Sequence, residues 1–430
     1  MKDRLRLFFC DHLSIMRGKY LPGSKLGADG ETRFCQSTFG VHFDKDLLPS
    51  PGSKMLEGLP DMVATWRAAD IREGWEPATK VVMCDLHDAA GAPIGPCGRG
   101  ALKRTVADWA ARGLHAKVGL ELEAYAFERG PDGALRPYEA PGGHVYGTGP
   151  AADPAGFMDA VWEEAEAAGF RLEMMTTEYD NPQFEFTLAY DDAVKAVDDL
   201  VLFRLMAREV ALKRGLILTF MPKPIPEKGG SGLHVNFSFA GEDGRNALSG
   251  GDGGGPEAMN DLAKGCVAGL VHHHEGLAGL LAPTVNSYRR LRPASLSGFW
   301  KNWGGDHRNV TTRVSAEGGA KARIEHRMAD AAANPYTAVA AVLQAARLGV
   351  ERGYPLPPAE AGDGFESQDA TSGVAETLEG ALDALEADSA LVEAVGPELV
   401  ANQLFMRRAE AEKLKGANAE AERDFYIHFI

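Results

Sequence analysis

The sequence predicts an α+β protein with two domains, a small β-rich domain followed by a larger one in which helices back an antiparallel sheet. Length and composition allow this, because 430 residues with 45% hydrophobic content can bury two cores. A Gly- and Pro-rich run at residues 91–100 separates strand-like patterns from alternating helix and strand patterns. We therefore predict one domain at residues 1–98 and a catalytic domain at residues 99–430.

The small domain contains two segments with the pattern of strands. Residues 4–13 alternate at their start, in Arg4-Leu5-Arg6-Leu7, and residues 81–86 form a second apolar run. Arg17-Gly18-Lys19 predicts a turn into an extended segment. Strands joined by Gly and Pro residues favour a β-rich unit.

The pattern of the larger domain alternates between helical periodicity and strand periodicity. Apolar spacing predicts helices at residues 101–112, 154–168, 191–214, 256–280, 334–352 and 377–425. Glycines at positions 113, 169 and 215 end three of these helices. Alternation predicts strands at residues 117–128, 183–188, 233–239, 309–314 and 321–327, and residues 249–255 form a Gly-rich loop. This order favours an antiparallel sheet with helices behind it.

Composition excludes several classes of function. Acidic residues outnumber basic ones by 61 to 45, and a net charge of −16 disfavours nucleic-acid binding. The five cysteines lack the spacing of a disulfide framework or a zinc site. We find no signal-like apolar segment at the start and no run of about 18 apolar residues. The expectation is a soluble, cytoplasmic protein that binds neither nucleic acid nor membrane.

Carboxylates recur at spacings that bring them together. Glu121 and Glu123 lie two residues apart in a strand pattern and so share one face, where they repel each other unless a proton or a cation lies between them. Glu178 and Glu185 are separated by an Asp-Asn-Pro turn, which permits both to face one site. An exposed strand face would also explain the first pair.

Polar residues share faces in two further strand patterns. His234, Asn236 and Ser238 alternate directly after the turn at Gly229-Gly230, which suits close backbone contact with a ligand, although an edge strand is the alternative. In residues 321–327, alternation predicts a row of Arg323, Glu325 and Arg327, which is costly to bury without ligands, although an exposed charged strand face is the alternative. By contrast, His272-His273-His274 cannot converge on one metal ion, because consecutive helix positions point about 100° apart.

Together these residues indicate phosphoryl-transfer chemistry. Five glutamates and a single histidine suit Mg²⁺ or Mn²⁺ better than zinc. Arginines supply planar donors for carboxylate and phosphate groups. The five glutamates are Glu121, Glu123, Glu178, Glu185 and Glu325, the histidine is His234, and the arginines are Arg290, Arg308, Arg313, Arg323 and Arg327.

On these motifs the chain resembles the glutamine synthetase superfamily over essentially its whole length. The likeness is to the type I-like branch and to γ-glutamyl-amine synthetases of the γ-glutamylpolyamine and γ-glutamylmethylamide types. The matching segments are Arg17-Gly18-Lys19, Glu121-Leu-Glu123, Glu178 to Gln183 with Glu185, Gly230-Ser-Gly-Leu-His234, Pro283 to Leu291, Arg323-Ile-Glu-His-Arg327, and Asp330 with Asn334-Pro-Tyr336.

The resemblance implies a fold and an assembly. The N-terminal domain would be β-grasp-like, and the catalytic domain would have a curved antiparallel sheet backed by helices. The chain would form a homo-oligomer, as a double-ring dodecamer with active sites between neighbouring subunits. The implied ligands are ATP, glutamate, an amine and two Mg²⁺ or Mn²⁺ ions.

The resemblance also implies a role for each matched residue. Glu123, Glu178 and Glu185 would hold one metal ion, and Glu121, His234 and Glu325 the other. Arg290, Arg327 and Gly230 would bind glutamate, and Arg308 and Arg313 would face the transferred phosphate. Asn236, Ser238, Arg323 and Arg308 would contact ATP. The implied reaction forms γ-glutamyl phosphate, from which an amine displaces phosphate.

The sequence departs from the family pattern at the ammonium site. Leu296 stands where ammonia-using members carry a glutamate on a flap, and the segment at residues 32–37 lacks the second carboxylate. An apolar wall, to which Phe299, Trp300 and Trp303 add bulk, favours an organic amine. Asp180 and His307 are candidates for the group that deprotonates it. Asn236 also replaces a histidine that is usual on the ATP side, so it cannot carry positive charge there.

We therefore predict an ATP-dependent ligase that joins glutamate to an organic amine. One alternative is a true glutamine synthetase that uses ammonia and another base. A second is a catalytically silent relative kept as an assembly protein, against which the full set of metal-ligand positions argues. A third is an enzyme that phosphorylates a carboxylate or guanidine without ligation.

Overall fold

The computed structural model describes residues 3–251 and 253–430. The first seven strands are β1 (Arg4–Cys10), β2 (Met16–Pro22), β3 (Gly30–Cys35), β4 (Asp61–Trp66), β5 (Arg72–Glu73), β6 (Thr79–Met83) and β7 (Asp85–His87). They form a four-stranded sheet of order β2-β1-β6-β5 and a three-stranded sheet of order β3-β4-β7. In the first sheet, β1 pairs antiparallel with β2 and parallel with β6.

Strand β1 connects two hydrophobic cores, because its alternate side chains point in opposite directions. Leu5, Leu7 and Phe9 pack in a small core within the N-terminal part. Phe8 and Cys10 belong to the large core that continues through the rest of the chain. The N-terminal sheets therefore pack against the larger part of the protein.

The rest of the chain alternates helices with strands. Its first half contains α1 (Gly98–Ala110), β8 (His115–Arg129), β9 (Leu135–Pro137), α2 (Phe157–Ala167), β10 (Leu172–Thr177), β11 (Gln183–Asp192), α3 (Ala193–Lys213), β12 (Leu216–Thr219) and β13 (Leu233–Ala240). Its second half contains α4 (Asp261–His272), α5 (His274–Leu281), α6 (Ser287–Arg290), β14 (Trp303–Gly305), β15 (Thr312–Val314), β16 (Ile324–His326), α7 (Pro335–Arg352), α8 (Leu378–Ala387), α9 (Ser389–Val395), α10 (Pro397–Lys413) and α11 (Ala419–Tyr426).

A nine-stranded sheet organises this part, in the order β10-β11-β8-β13-β16-β15-β14, with β9 and β12 also pairing with β8. Central strand β8 separates two environments. Its apolar residues from Ala116 to Ala124 alternate with Lys117, Glu121 and Glu123, and the apolar set is buried. Helices cover the apolar face: Trp109 of α1 packs against the ring of Phe239 and donates to the carbonyl of Leu343 in α7. The opposite face is free for polar chemistry.

Several predicted elements need correction. The helix predicted at 256–280 begins only at Asp261, where Asn260 caps it, and it breaks at His273, whose ring bonds to Asp388. The helical region predicted at 377–425 is four helices, because Asp388, Gly396 and Asn418 each begin a new one. Strands β9, β10, β12 and β14 of the large sheet were not predicted. None of the helices in the described residues has an apolar stretch long enough to cross a membrane.

The strand predicted at 321–327 contains only residues 324–326, because a 3₁₀ turn occupies Gly319–Lys321. The N-terminal sheets end at His87 and α1 begins at Gly98. The domain boundary after residue 98 stays a prediction.

Candidate active site

Strand register gathers the polar residues on one face of the large sheet. Directly opposed residues of an antiparallel pair lie on the same face. Across β8, Glu123 opposes Glu185 of β11 and Glu121 opposes His234 of β13. Further along, Asn236 opposes Glu325, and Glu325 opposes Arg313. One continuous face therefore carries Glu185, Glu123, Glu121, His234, Asn236, Glu325 and Arg313.

Three of these side chains converge tightly. The ring Nδ1 of His234 lies 3.0 Å from Oε2 of Glu121 and 3.6 Å from Oε1 of Glu325. One ligand atom from each residue lies within 4.8 Å of the other two, the spacing expected of metal ligands. Burial alone would raise the pKa of Glu121, but hydrogen bonds from His234 and Asn236 outweigh it and lower the pKa to about 2. Two carboxylates and an imidazole fit a divalent ion such as Mg²⁺ or Mn²⁺.

The other three predicted ligands form a second acidic group, less tightly gathered. Glu185 hydrogen-bonds to Glu178, and burial together with the charges of Glu123, Glu121 and Glu178 raises its pKa well above the ordinary value. Glu123 accepts hydrogen bonds from the backbone of Gly232 at 2.8 Å and from Gln183 at 3.3 Å. Mutual repulsion within this group would be relieved by a cation or a proton.

Two arginines hold the buried carboxylate of Glu325. Nη1 of Arg313 donates to Oε2 of Glu325 at 2.9 Å, and Arg327 donates to the other oxygen. Glu325 and Arg327 are buried, so the pair forms a rigid, charged wall. Arg313 also bonds to Asp306.

Arg290 is buried beneath this wall, at the end of α6. Its guanidinium donates to the carbonyls of Met328 at 2.9 Å, Arg327 at 3.3 Å and Ser297 at 3.4 Å. Asn286, in the same motif, is structural, because its side chain accepts from the backbone of Lys223. The motif therefore fixes the position of Arg290.

Two predicted arginines have exposed side chains. Arg323 lies directly before β16, and its side chain bonds to Glu317 at 2.7 Å and Ser315 at 3.1 Å. Arg327 lies directly after the same strand, and the shared face of Arg323, Glu325 and Arg327 stays a prediction. Arg308 is exposed in the loop between β14 and β15, and the described residues contain no hydrogen bond or ion pair for it.

A cavity of about 530 Å³ opens beside the cluster of Glu121, His234 and Glu325. Its size suits a nucleotide-sized ligand. The predicted ATP-side residues Asn236, Ser238 and Arg323 all line it, as does Glu121. Asn236 Nδ2 donates to Oε1 of Glu121 at 3.0 Å, so the residue that replaces a histidine orients a metal-ligand candidate.

Leu296 lies on an exposed loop beyond Arg290. Its side chain is 42% exposed and its backbone has φ of 56°, a left-handed conformation that is strained for leucine. The aromatic residues that follow do not extend this apolar surface as predicted. Phe299 and Trp303 are buried, and the indole of Trp303 donates to the carbonyl of Pro357. They pack inward against the segment after α7.

The two candidate bases differ in their surroundings. Asp180 is half-buried and accepts a hydrogen bond from the backbone of Gly229, at the turn where Gly230 packs against Arg290. His307 instead has both ring nitrogens engaged, since Nδ1 accepts from the backbone of Asn309 and Nε2 contacts the carbonyl of Gly362. His307 therefore stabilises its loop and is not placed to accept a proton.

Sequence reasoning missed Gln183 as a connector within the site. Its amide donates to Glu123 at 3.3 Å, to the carbonyl of Gly230 at 3.0 Å and to Ser231 Oγ at 3.3 Å. Gln183 begins β11 next to a buried proline, so its position could have been found from the strand pattern but its partners could not. It couples the acidic group to the turn that contacts Arg290.

Residues 96–426 match the family model described as glutamine synthetase, catalytic domain. A glutamine synthetase from Pyrococcus abyssi is 30% identical over 431 residues, covering 95% of this chain and 90% of that protein. A glutamate–isopropylamine ligase from a Pseudomonas species is 30% identical over 284 residues, covering 64% and 61%. A solved GmaS–ADP complex has a TM-score of 0.83 at 27% identity, covering 99% and 97%, and confirms the predicted α+β fold class.

Proposed function

Because the chain belongs to the glutamine synthetase family, we propose that it joins glutamate to a primary organic amine. The chain is a ligase that uses ATP, glutamate and a divalent metal ion. The organic amine is the proposed second substrate. Similarity to a glutamate–isopropylamine ligase and to GmaS, a γ-glutamylmethylamide synthetase, supports it.

Two metal ions are proposed, each with its own ligands. Glu121, His234 and Glu325 would hold one, and their close approach supports this assignment. Glu123, Glu178 and Glu185 would hold the other, and the raised pKa of Glu185, caused by burial and neighbouring carboxylates, supports a need for a cation. Bound metal ions would offset the negative charge of the phosphoryl oxygens.

The remaining residues would bind the reactants. Arg290, Arg327 and Gly230 would hold glutamate, with Arg308 and Arg313 near the transferred phosphate. Asn236, Ser238 and Arg323 would contact ATP, in keeping with the cavity that they line. Closure of the loop that carries Arg308 is part of this proposal, because its side chain is exposed in the structure.

The reaction has two displacements. A γ-carboxylate oxygen of glutamate attacks the terminal phosphorus of ATP, and ADP leaves. The amine nitrogen then attacks the γ-carbon, the bond to the phosphate oxygen breaks, and inorganic phosphate leaves. The nitrogen gives up one proton before attack and one as the amide forms. Asp180 is the proposed acceptor, because it is a carboxylate at the substrate-facing turn.

The observation that carries the choice of amine is Leu296. An exposed leucine on the loop next to the Arg290 site offers an alkyl surface and no charge. Ammonium needs carboxylates around it, whereas an organic amine gains contact with an apolar wall. An organic amine is therefore the better fit.

We also propose the assembly and location typical of the family. The two domains at residues 1–98 and 99–430 would build a homo-oligomer, a double-ring dodecamer in the cytoplasm. Family membership supports this, and light scattering coupled to size exclusion tests the mass.

A panel of amines tests the function. Purified protein with Mg²⁺, ATP and glutamate is offered ammonium, methylamine, butylamine, 1,4-diaminobutane and ethanolamine, and products are identified by mass spectrometry. We expect at least one organic amine to exceed ammonium in kcat/KM by about tenfold or more. The variant Leu296→Glu should shift the ratio toward ammonium, with Leu296→Met as the apolar control. Ammonium used as well as every amine by the unmodified protein would refute the proposal.

A further inference from the structure

Helix α11 holds two consecutive residues of the segment that ends at Arg290. The backbone N–H of Val285 donates to Oη of Tyr426 at 3.3 Å, and Nδ2 of Asn286 donates to Oε2 of Glu422 at 3.0 Å. Tyr426 and Glu422 lie about one helical turn apart on α11, so both can face this segment. Asn286 and Glu422 are buried. The helix therefore contacts the segment through polar groups that are removed from solvent.

Glu422 carries the negative charge of this contact. Its carboxylate accepts from Nε and from Nη2 of Arg289, each at 2.7 Å. A bidentate arginine–carboxylate pair fixes the orientation of both groups as well as their distance. The hydrogen bond and the charge of Glu422 raise the pKa of Arg289. Because the carboxylate is held on both oxygens, it gives the amide of Asn286 a fixed acceptor.

Asn286 also contacts the chain on the other side of the proposed glutamate site. Its Oδ1 accepts from the backbone N–H of Lys223 at 2.8 Å, and its Nδ2 donates to the carbonyl of Lys223 at 3.2 Å. One residue earlier, the carbonyl of Pro222 accepts from the backbone of Ser231 at 2.8 Å, next to Gly230. Asn286 directly precedes α6. It therefore ties the glycine turn to the helix at whose end the proposed glutamate-binding arginine lies.

We infer that Glu422 is a positioning residue for the glutamate site. It acts through Asn286, which sets the place of the turn at Gly230 relative to Arg290. This rests on the proposed function, in which glutamate is held by Arg290, Arg327 and Gly230. A displacement of about 1 Å between groups that bind one substrate is enough to weaken its productive binding severely. Loss of the carboxylate should therefore affect glutamate and leave ATP, which the proposal places on strands β13 and β16, unaffected.

The variant Glu422→Gln tests the inference, because glutamine has nearly the same shape but no charge and one acceptor oxygen fewer. Glutamate is varied at saturating Mg²⁺-ATP and acceptor amine, and ATP is varied at saturating glutamate. We expect KM for glutamate to rise about fivefold, while kcat and KM for ATP stay within about twofold of the unmodified protein.

Glu209→Gln is the matched control. Glu209 accepts from the guanidinium of Arg6 at 2.7 Å and 3.0 Å and from Nε1 of Trp75 at 2.6 Å, so it also binds one arginine and one neutral N–H donor. These contacts join α3 to the N-terminal sheet. The control should lower the unfolding midpoint as Glu422→Gln does, because each loses a charged hydrogen-bond acceptor, and should leave KM for glutamate within about twofold.

A second substitution checks the path through Asn286. Asn286→Asp places a carboxylate against that of Glu422, and the repulsion should raise KM for glutamate. Adding Glu422→Gln to Asn286→Asp should lower KM again, because the new amide can donate to the new carboxylate. The change at Glu422 is thus expected to have opposite effects in the two backgrounds, whereas a purely structural role would give the same direction in both.

The outcomes separate the inference from the function beneath it. The positioning role is overturned if Glu422→Gln raises KM for glutamate no more than Glu209→Gln does, if it raises KM for ATP equally, or if it raises KM for glutamate in both backgrounds. Arg290→Lys tests the glutamate assignment itself, because an unchanged KM for glutamate in that variant would remove Arg290 from the site. If ammonium is the better acceptor, it takes the place of the amine in these assays, and the same comparison of KM values decides.

Discussion

Replacing Glu185 with glutamine should stabilise the metal-free protein although it damages the site. Glu185 is crowded by Glu178 and by Glu123, its direct neighbour across the β8–β11 pair. Burial and these charges raise its pKa from 4.5 to about 9. A glutamine side chain has nearly the same shape, carries no charge and can donate a hydrogen bond to Glu178.

The size of the effect follows from proton linkage. A carboxyl group whose folded-state pKa is raised contributes stability that is fully present below the unfolded pKa and is lost as pH rises through the folded pKa. At pH 7.5, about three pH units above 4.5, the cost to the metal-free protein is at most about 4 kcal/mol. For a chain of this length, removing this cost should raise the unfolding midpoint of Glu185→Gln about 4 °C above that of the unmodified protein.

Differential scanning fluorimetry with chelator and with Mg²⁺ measures the unfolding midpoints of both proteins. In chelator the variant should melt above the unmodified protein, and in Mg²⁺ the order should reverse, because the metal stabilises only an intact ligand set. Glu128→Gln, further along β8, is the matched control and should change neither midpoint by more than about 1 °C. A variant that melts below the unmodified protein in chelator would show that the acidic group is not repulsive and refute the reasoning.

Two other changes give distinct outcomes. Gly230→Ala should raise KM for glutamate about tenfold or more, because the added Cβ would lie 2.5 Å from Cγ of Arg290 and 2.8 Å from the carbonyl of Pro222. Steady-state kinetics measure this change in KM. Gly253→Ala is the control, because a Cβ there would meet only Ala258, at 3.7 Å. On acidification, stability should fall as pH drops below 6.5, because burial lowers the pKa of His326 to about 3 and that of His274 to about 4. For a histidine with a lowered folded-state pKa, the stability is present above the unfolded pKa, and about 5 kcal/mol is lost by pH 4.5 from the two together. Fluorimetry between pH 4.5 and 7 should show the drop, and an unchanged profile in His326→Gln would contradict it.

Short-range periodicity predicted the local part of the site. The period of two along a strand correctly placed Glu121 with Glu123, and His234 with Asn236, on shared faces. Such a rule applies wherever a strand is continuous. The strand at residues 324–326 is shorter than predicted, because a 3₁₀ turn at Gly319–Lys321 precedes it.

Long-range pairing could not be predicted from the pattern. Glu185 opposes Glu123 because β11 pairs with β8, and nothing in either segment names its partner. The same limit applies to Gln183, whose three partners come from two distant segments. In the helical regions, apolar spacing continued through His273 and Asp388, so the breaks there depended on a contact between those two residues that only the fold supplies.

The register of the large sheet fixes the length of the strands that carry the metal-ligand candidates, whereas the loops between strands can vary. Gaining or losing one residue in β8, β11 or β13 would turn every metal-ligand candidate on that strand toward the helices, so the phosphorylating chemistry tolerates no change in strand length. Asp180 and Leu296, which the proposed function places beside the amine, both lie in loops, where insertions and substitutions leave the register intact. Under the proposed function, variation in these loops alone would change the acceptor amine while the strands keep their register.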